Sequence, residues 1–270
     1  MDVLSIGRVS VDLYAAEAGV GFDGEQTFTK SVGGSPTNVA VAAARLGHHA
    51  AIVTKVGDDG FGSYVRARLQ GWGVDTSFVG TQPGGQTPLA LAALKPPETP
   101  QIAFYRGPAA PDTTIDVSDV PADVVRESRL LWISQGSLAQ GTTADACLAW
   151  MGLRNGAGHT VLDLDYRPAL WPGRDAARAR AQEAIARATV VVGNREECDV
   201  AVGSSDADAA ADALLEMGVA LAIVKLGADG ALLATADDRW LIPALPVDVV
   251  CGLGAGDAFG GALCHGLLSG

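Results

Sequence analysis

The chain has little cysteine: Cys147, Cys198, Cys251 and Cys264 are scattered over 270 residues and form no CxxC pair. That disfavours a zinc site or a disulfide framework, and the thiols read as core or spectator groups of a reducing compartment. No apolar run approaches the roughly 20 residues that a bilayer span requires, so no membrane partner is expected. The opening Met1-Asp2-Val3-Leu4-Ser5-Ile6-Gly7 has neither a basic region nor a long apolar core, and a cytoplasmic location is expected. Positive charge is scarce, with 19 Lys and Arg against 31 Asp and Glu and a net charge of −12. Nucleic acid is therefore not an expected partner, because polyanion binding draws on a basic patch. An anionic ligand would have to be held by local donors. The P-loop spacing GxxxxGK[ST] is absent as well, which excludes that phosphate cradle. The four histidines, His48, His49, His159 and His265, show no metal-ligand spacing.

What is present is a hydrophobic fraction of 48%, enough for one large core. Apolar, β-branched segments at 3–6, 51–56, 130–134, 160–164, 189–192 and 222–225 predict buried strands, most of them separated by alanine-rich helical stretches. Strands alternating with helices predict an α/β fold whose mostly parallel sheet is covered on both faces. Two stretches break the rhythm, 11–32 and 87–106. Within the second, strand patterns at 87–92 and 101–106 have no helix between them. These stretches predict either a small antiparallel sheet or a pair of long surface loops.

Several segments place reactive groups at expected strand ends. Val249-Val250-Cys251-Gly252-Leu253-Gly254-Ala255-Gly256-Asp257 reads as a strand end, a glycine-rich turn and a helix that runs to Leu268. The glycines let a ligand approach the backbone, and the helix start offers unpaired N–H groups, so the turn is a natural anion cradle. A carboxylate there either caps the helix or takes a proton from a hydroxyl that attacks a phosphoryl group. Ser31-Val32-Gly33-Gly34-Ser35-Pro36-Thr37-Asn38 leads into a helix that Gly47 stops, with Ser35 fitting the N-cap and Pro36 the first helical position. Its glycines and the Asn38 amide suit either a sugar site or a plain turn before a core helix. Asn194 and Glu197 follow a strand, where they either flank a hydrated Mg²⁺ or cap a helix. Lys225, Gly227 and Gly230 either border nucleotide phosphates or make a hairpin turn. Arg167 follows the strand at 160–164 and either binds an anionic group or makes a surface ion pair. Asp12, after the first strand, is a further candidate for sugar hydroxyls. Gly19-Val20-Gly21-Phe22-Asp23-Gly24 satisfies the dinucleotide GxGxxG spacing, but a strand pattern rather than a helix follows it, so the match reads as chance.

Gly33-Gly34 with Asn38, Val56-Gly57-Asp58-Asp59-Gly60-Phe61-Gly62, Asn194 with Glu197, Gly227 with Gly230, and Gly254-Ala255-Gly256-Asp257 resemble, in identity and order, the ribokinase-like (PfkB-type) sugar kinase family. The resemblance runs over essentially the whole chain. It implies a ribokinase-like three-layer αβα sandwich (1–10, 33–84 and 108–270) and a small β lid (11–32 and 85–107) that closes over the sugar. It implies ATP and Mg²⁺ as co-substrate and cofactor, with Asp257 as the base and the N–H groups of Gly254, Ala255 and Gly256 as the anion hole. Asn194 and Glu197 are then near Mg²⁺ through water, and Asn194, Lys225, Gly227, Gly230, Gly254 and Gly256 near the nucleotide. Asp12, Gly33, Gly34 and Asn38 fall at the sugar.

Within the family, Gly7-Arg8-Val9-Ser10-Val11-Asp12-Leu13-Tyr14 and Asp163-Leu164-Asp165-Tyr166-Arg167-Pro168 look most like the 5-dehydro-2-deoxygluconate kinases of inositol breakdown. Kinases of 2-keto-3-deoxygluconate come second, and fructokinase or ribokinase specificity third. The two leading substrates carry a carboxylate, for which Arg167, Arg106 and Tyr105 are candidates. A lid of this kind also leaves a homodimer open. Two departures stand out. Cys251-Gly252-Leu253 replaces the family's Asp-Thr-Thr and leaves a monovalent-cation requirement open, and relatives continue for some tens of residues beyond the last helix, so the chain reads as a truncation or fragment of the fold. A non-catalytic sensor on the same fold and, more remotely, an NAD-linked oxidoreductase are the competing classes.

Overall fold

The computed structural model describes residues 1–96, 100–107, 109–248 and 252–270. The chain opens with β1 (Val3–Ile6) and leaves it for a hairpin of β2 (Ser10–Ala15) and β3 (Phe28–Gly33). It returns through α1 (Ser35–Arg45) to β4 (Ala50–Gly57), α2 (Gly60–Gly71) and β5 (Val79–Gln82). A second hairpin, β6 (Leu89–Ala93) and β7 (Gln101–Tyr105), precedes α3 (Ala122–Glu127). Strands and helices then alternate through β8 (Leu130–Ser134), α4 (Gly141–Arg154), β9 (His159–Asp163) and α5 (Arg174–Ile185). After β10 (Val190–Asn194) come α6 (Arg195–Val202), α7 (Ala207–Glu216) and β11 (Leu221–Lys225). The meander β12 (Ala231–Ala234) and β13 (Arg239–Ile242) leads to α8 (Ala255–Ser269).

Among the described residues nine strands form one sheet in the order β13-β12-β11-β10-β9-β8-β1-β4-β5, parallel from β11 to β5. The six strands expected from apolar runs are β1, β4, β8, β9, β10 and β11. They read as unbroken runs because both faces are covered, and no polar alternation is required of them. On one face Leu4, Ile6, Leu131, Ile133, Leu162 and Val224 pack with residues of α3 to α7. On the other, Val3, Leu130, Trp132, Val161 and Ile223 pack with Val39 and Ala43 of α1 and Cys264 and Leu268 of α8. The result is the three-layer αβα sandwich.

The two helix-free stretches pair into a second sheet, in the order β3-β2-β6-β7. It is mixed rather than antiparallel. Each hairpin is antiparallel within itself, but β2 and β6 run parallel. The cause is topological: both strands leave the same edge of the main sheet, after β1 and after β5, and run outward side by side. Their join begins with Val11 N donating to Pro88 O at 2.9 Å. Gly19 to Gly24 fall in the β2–β3 connection, with no helix after them.

The α1 start differs by one residue from expectation. Gly34 is the cap, and Ser35 and Pro36 are already helical. Gly34 has φ of +100°, and a Cβ there would lie 2.3 Å from the Arg8 carbonyl oxygen, so the entry turn admits only glycine. At the far end Gly47 (φ +91°) stops the helix as expected, with Gly47 N donating to Ala44 O and His48 N to Ala43 O, a Schellman motif. Helices α1 and α8 touch at Gly261, where a Cβ would fall 2.2 Å from that of Ala42. The expected strand end Val249-Val250 and the Cys251 lead-in lie outside the described residues. Among the described residues no helix is long and apolar enough to cross a membrane.

Candidate active site

The parallel strands bring their C-terminal ends to one edge, where open α/β sheets bind ligands. Gly254, in the left-handed region at φ +80°, turns the chain into α8, and no side chain caps that helix. Ala255 N makes a long contact to Gly252 O at 3.4 Å, and no side chain takes the other N–H groups of the first turn, which are placed to receive an anion. Asp257 is the third helical residue and not the cap. Its carboxylate accepts instead from Asn38 Nδ2 at 2.7 Å. This pair follows from the α1–α8 contact, because Asn38 lies one turn before Ala42 and Asp257 one turn before Gly261. Burial pushes the Asp257 carboxyl above the usual carboxylate range, against the Asn38 hydrogen bond and a weaker pull from Ser35. Ser35 Oγ itself is buried without a well-formed hydrogen bond.

In front of Asp257 lies a cavity of about 200 Å³, whose lining includes Asp12, Gly34, Asn38, Ile102, Phe104 and Asp257. Asp12 accepts from Ser10 Oγ at 2.6 Å and Tyr14 OH at 3.3 Å, and burial raises its pKa. Gly33 makes room for it: a Cβ there would sit 2.0 Å from Asp12 Oδ2. Three arginines, Arg8, Arg106 and Arg167, line the same cavity. Arg106 Nη2 donates to Asp112 Oδ1 at 2.5 Å, and Asp112 Oδ2 also takes the Val9 N–H at 3.0 Å. Asp165 pairs with both of the others, Oδ2 with Arg8 Nη2 at 2.9 Å and Oδ1 with Arg167 Nη2 at 2.6 Å. The Asp165 charge holds the Arg167 guanidinium firmly protonated.

Tyr105 does not reach this cavity. Along β7 successive side chains face opposite ways, so Ile102 and Phe104 line it, while Tyr105 opens onto a separate groove with Lys30, Phe61 and Leu89. Arg106, just past the strand, borders both.

Beside the Gly254 turn stands Lys225, at the end of β11. Its Nζ is 3.7 Å from Asp163 Oδ1, 3.6 Å from Glu197 Oε2 and 3.6 Å from where a Gly256 Cβ would sit. Burial works against this ammonium, but Asp163 and Glu197 outweigh it and keep it protonated. Burial likewise raises the Asp163 carboxyl, with Lys225 opposing. Asn194 and Glu197 form a capping box on α6: Asn194 N donates to Glu197 Oε2 at 2.7 Å, and Glu197 N to Asn194 Oδ1 at 2.9 Å. The box engages Asn194 Oδ1 and Glu197 Oε2, and no group of three or more His, Cys, Asp or Glu among the described residues could hold a metal. Magnesium therefore fits here only through water and phosphate. Gly227 and Gly230, at φ +64° and +99°, turn β11 into the antiparallel β12, and a Cβ on Gly230 would lie 1.9 Å from Ile242 O. Both glycines are accounted for by a hairpin.

Sequence reasoning passed over Arg8, Asp112, Asp163 and Asp165 as site residues. Arg8 carries the signal that singled out Arg167, a cation just beyond a buried strand. The pairing of Asp112 and Asp165 with the arginines, and of Asp163 with Lys225, depends on tertiary placement.

The pattern of the family described as "pfkB family carbohydrate kinase" matches residues 1–270. The chain belongs to this family. A relative named 5-dehydro-2-deoxygluconokinase, from Geobacillus thermodenitrificans, is 32% identical over 279 residues that span 100% of this chain and 82% of that protein. Among solved structures, the PfkB protein from Polaromonas sp. JS666 superposes with a TM-score of 0.90 at 26% identity, covering 100% of this chain and 89% of that one. An uncharacterized sugar kinase from Pyrococcus horikoshii in complex with ATP gives 0.83 at 27% identity, covering 98% and 84%. The chain is thus a carbohydrate kinase with a ribokinase-like fold, and Gly254 and Asp257 of this kinase line the same cavity as the three arginines.

Proposed function

We propose that this kinase uses ATP to phosphorylate a primary hydroxyl of a keto-deoxy sugar acid, 5-dehydro-2-deoxy-D-gluconate giving its 6-phosphate, with 2-keto-3-deoxygluconate as the second candidate. The observation that carries this reading is a cavity lined by a half-buried, hydrogen-bonded carboxylate and three arginines. Three guanidinium groups face two aspartates, Asp112 and Asp165; a neutral sugar brings no charge to balance the excess, whereas a sugar acid does.

In this reading Asp257 accepts the hydroxyl proton as the oxygen attacks the γ-phosphoryl group. Asn38 keeps its carboxylate aimed at that hydroxyl. The N–H groups of Gly254, Ala255 and Gly256 receive charge on the transferring group, and Lys225 adds a cation at its flank. Asp12, beside Gly33 and Gly34, orders sugar hydroxyls, and Arg106 and Arg167 receive the carboxylate. Asn194 lies toward the nucleotide together with the Gly227–Gly230 turn. Asn194 and Glu197 would hold Mg²⁺ through water, and the ion would supply charge neutralisation for the nucleotide phosphates. The small sheet closes as a lid, and its exposed apolar side chains pair two copies.

An ADP-release assay over neutral sugars and sugar acids, with Mg²⁺ present and withheld, tests this. Magnesium-dependent turnover on the acids is expected, and Asp257→Asn should lower it roughly 10²–10⁴-fold with ATP binding retained. Unchanged turnover in that variant would remove Asp257 from its role. A preference for neutral sugars would remove the sugar acid.

A further inference from the structure

Asp165 takes no part in the phosphoryl chemistry described above, yet both of its oxygens are committed to arginines that line the substrate cavity. Asp165 and Arg8 are buried, while half of the Arg167 side chain stays exposed at the mouth. Arg8 is held from behind. Its carbonyl accepts from Thr37 Oγ1 at 2.9 Å, and its guanidinium lies against Gly136, where a Cβ would fall 2.8 Å from both Nε and Nη2. The row of charges therefore runs from a buried cation, through a buried carboxylate, to a half-exposed cation. A single ion pair to Nη2 leaves other N–H donors of Arg167 free for a ligand. The set of Arg8, Asp165 and Arg167 carries one net positive charge, which matches one carboxylate.

We propose that Asp165, anchored by Arg8, is the positioning residue through which this kinase selects acids over neutral sugars: it fixes Arg167 in the orientation that receives the substrate carboxylate. The inference rests on the sugar-acid reading. Fixing a long side chain before the ligand arrives lowers the ordering cost of binding. Arg106 is anchored separately by Asp112, so loss of Asp165 disables one arm of the recognition and leaves the other.

The test is steady-state kinetics on the full chain with 2-keto-3-deoxygluconate, with fructose and with ATP varied in turn. In Asp165→Asn, KM for the acid should rise roughly 10- to 100-fold, the loss of a charge-assisted hydrogen bond. The kcat, the ATP KM and fructose turnover should stay within about threefold. Gly136→Ala, which displaces the Arg8 guanidinium without touching Asp165, should give the same split in smaller measure. It also answers the question if Asp165→Asn folds poorly. Equal losses on acid and neutral sugar, or a fall in kcat at constant KM, would reduce Asp165 to a structural ion pair. The two proposals separate cleanly. A wild type without preference for acids ends both, whereas a wild type that prefers acids and an Asp165→Asn variant that still does so end only this one.

Discussion

Asp257 is a half-buried acid with its pKa raised by desolvation, and that has consequences for both rate and stability. A group whose folded pKa exceeds its unfolded one adds stability that is fully present below the unfolded value and lost as pH rises through the folded value. At neutral pH the ionised Asp257 is therefore a cost the fold bears for function. Asparagine cannot ionise, and its carbonyl oxygen can still accept from Asn38. Asp257→Asn is thus expected to raise Tm at pH 8. The gain should shrink as pH falls through the raised pKa and disappear below the ordinary carboxylate range. Thermal melts across pH check this, and a Tm that falls at pH 8 would contradict it. In wild type the acid limb of kcat/KM should lie above the ordinary carboxylate range for the same reason.

Helices α1 and α8 were each legible in the sequence from their glycine turns and apolar spacing, but their mutual register was not. Nothing local joins Asn38 to Asp257, 219 positions apart; helix packing does, through Gly261 against Ala42. The same limit hid Arg8 and Asp165, 157 positions apart. Strands buried on both faces were readable because burial removes polar alternation, whereas β5 and β13 were not, with one buried residue and none. Tyr105 borders the neighbouring groove and not the cavity, because a strand's phase decides which face a side chain meets, and a one-residue difference reverses it. The Gly261 contact makes a prediction whose sign is unusual. Gly→Ala inside a helix ordinarily gains up to ~1 kcal/mol, yet here the added methyl meets Ala42 at 2.2 Å. Gly261→Ala should instead cost ~1–3 kcal/mol, as overpacking does. It should also lower kcat by moving Asp257 off its line. Ala42→Gly in the same chain should restore both, a non-additivity measurable by denaturant melts and kinetics. Additive losses would mean that the helices are registered elsewhere.

At the scale of the whole molecule, an excess of 12 negative charges surrounds a cavity that collects three arginines, so attraction for an acid substrate is local and the far field opposes it. The small sheet answers to a different force. Phe28, Ile102, Phe104 and Tyr105 are 40%, 42%, 42% and 64% exposed, an apolar concentration of the kind that marks a contact surface. Ile102 and Phe104 line the substrate cavity, whereas Tyr105 faces the outer groove and can be changed without entering the site. Pairing of two copies through this sheet predicts a concentration-dependent dimer in sedimentation. Tyr105→Glu should weaken it at least about tenfold, since a carboxylate would have to be desolvated at the junction. The circular dichroism spectrum should be unchanged, because an exposed strand position carries little of the core. A wild type that stays monomeric throughout, or a glutamate variant that pairs as tightly as wild type, would show that the sheet's apolar side chains are turned to the substrate alone. A weakened dimer that keeps full turnover would instead show that the two faces of one four-stranded sheet do separate work, one closing on the sugar acid and the other joining the copies.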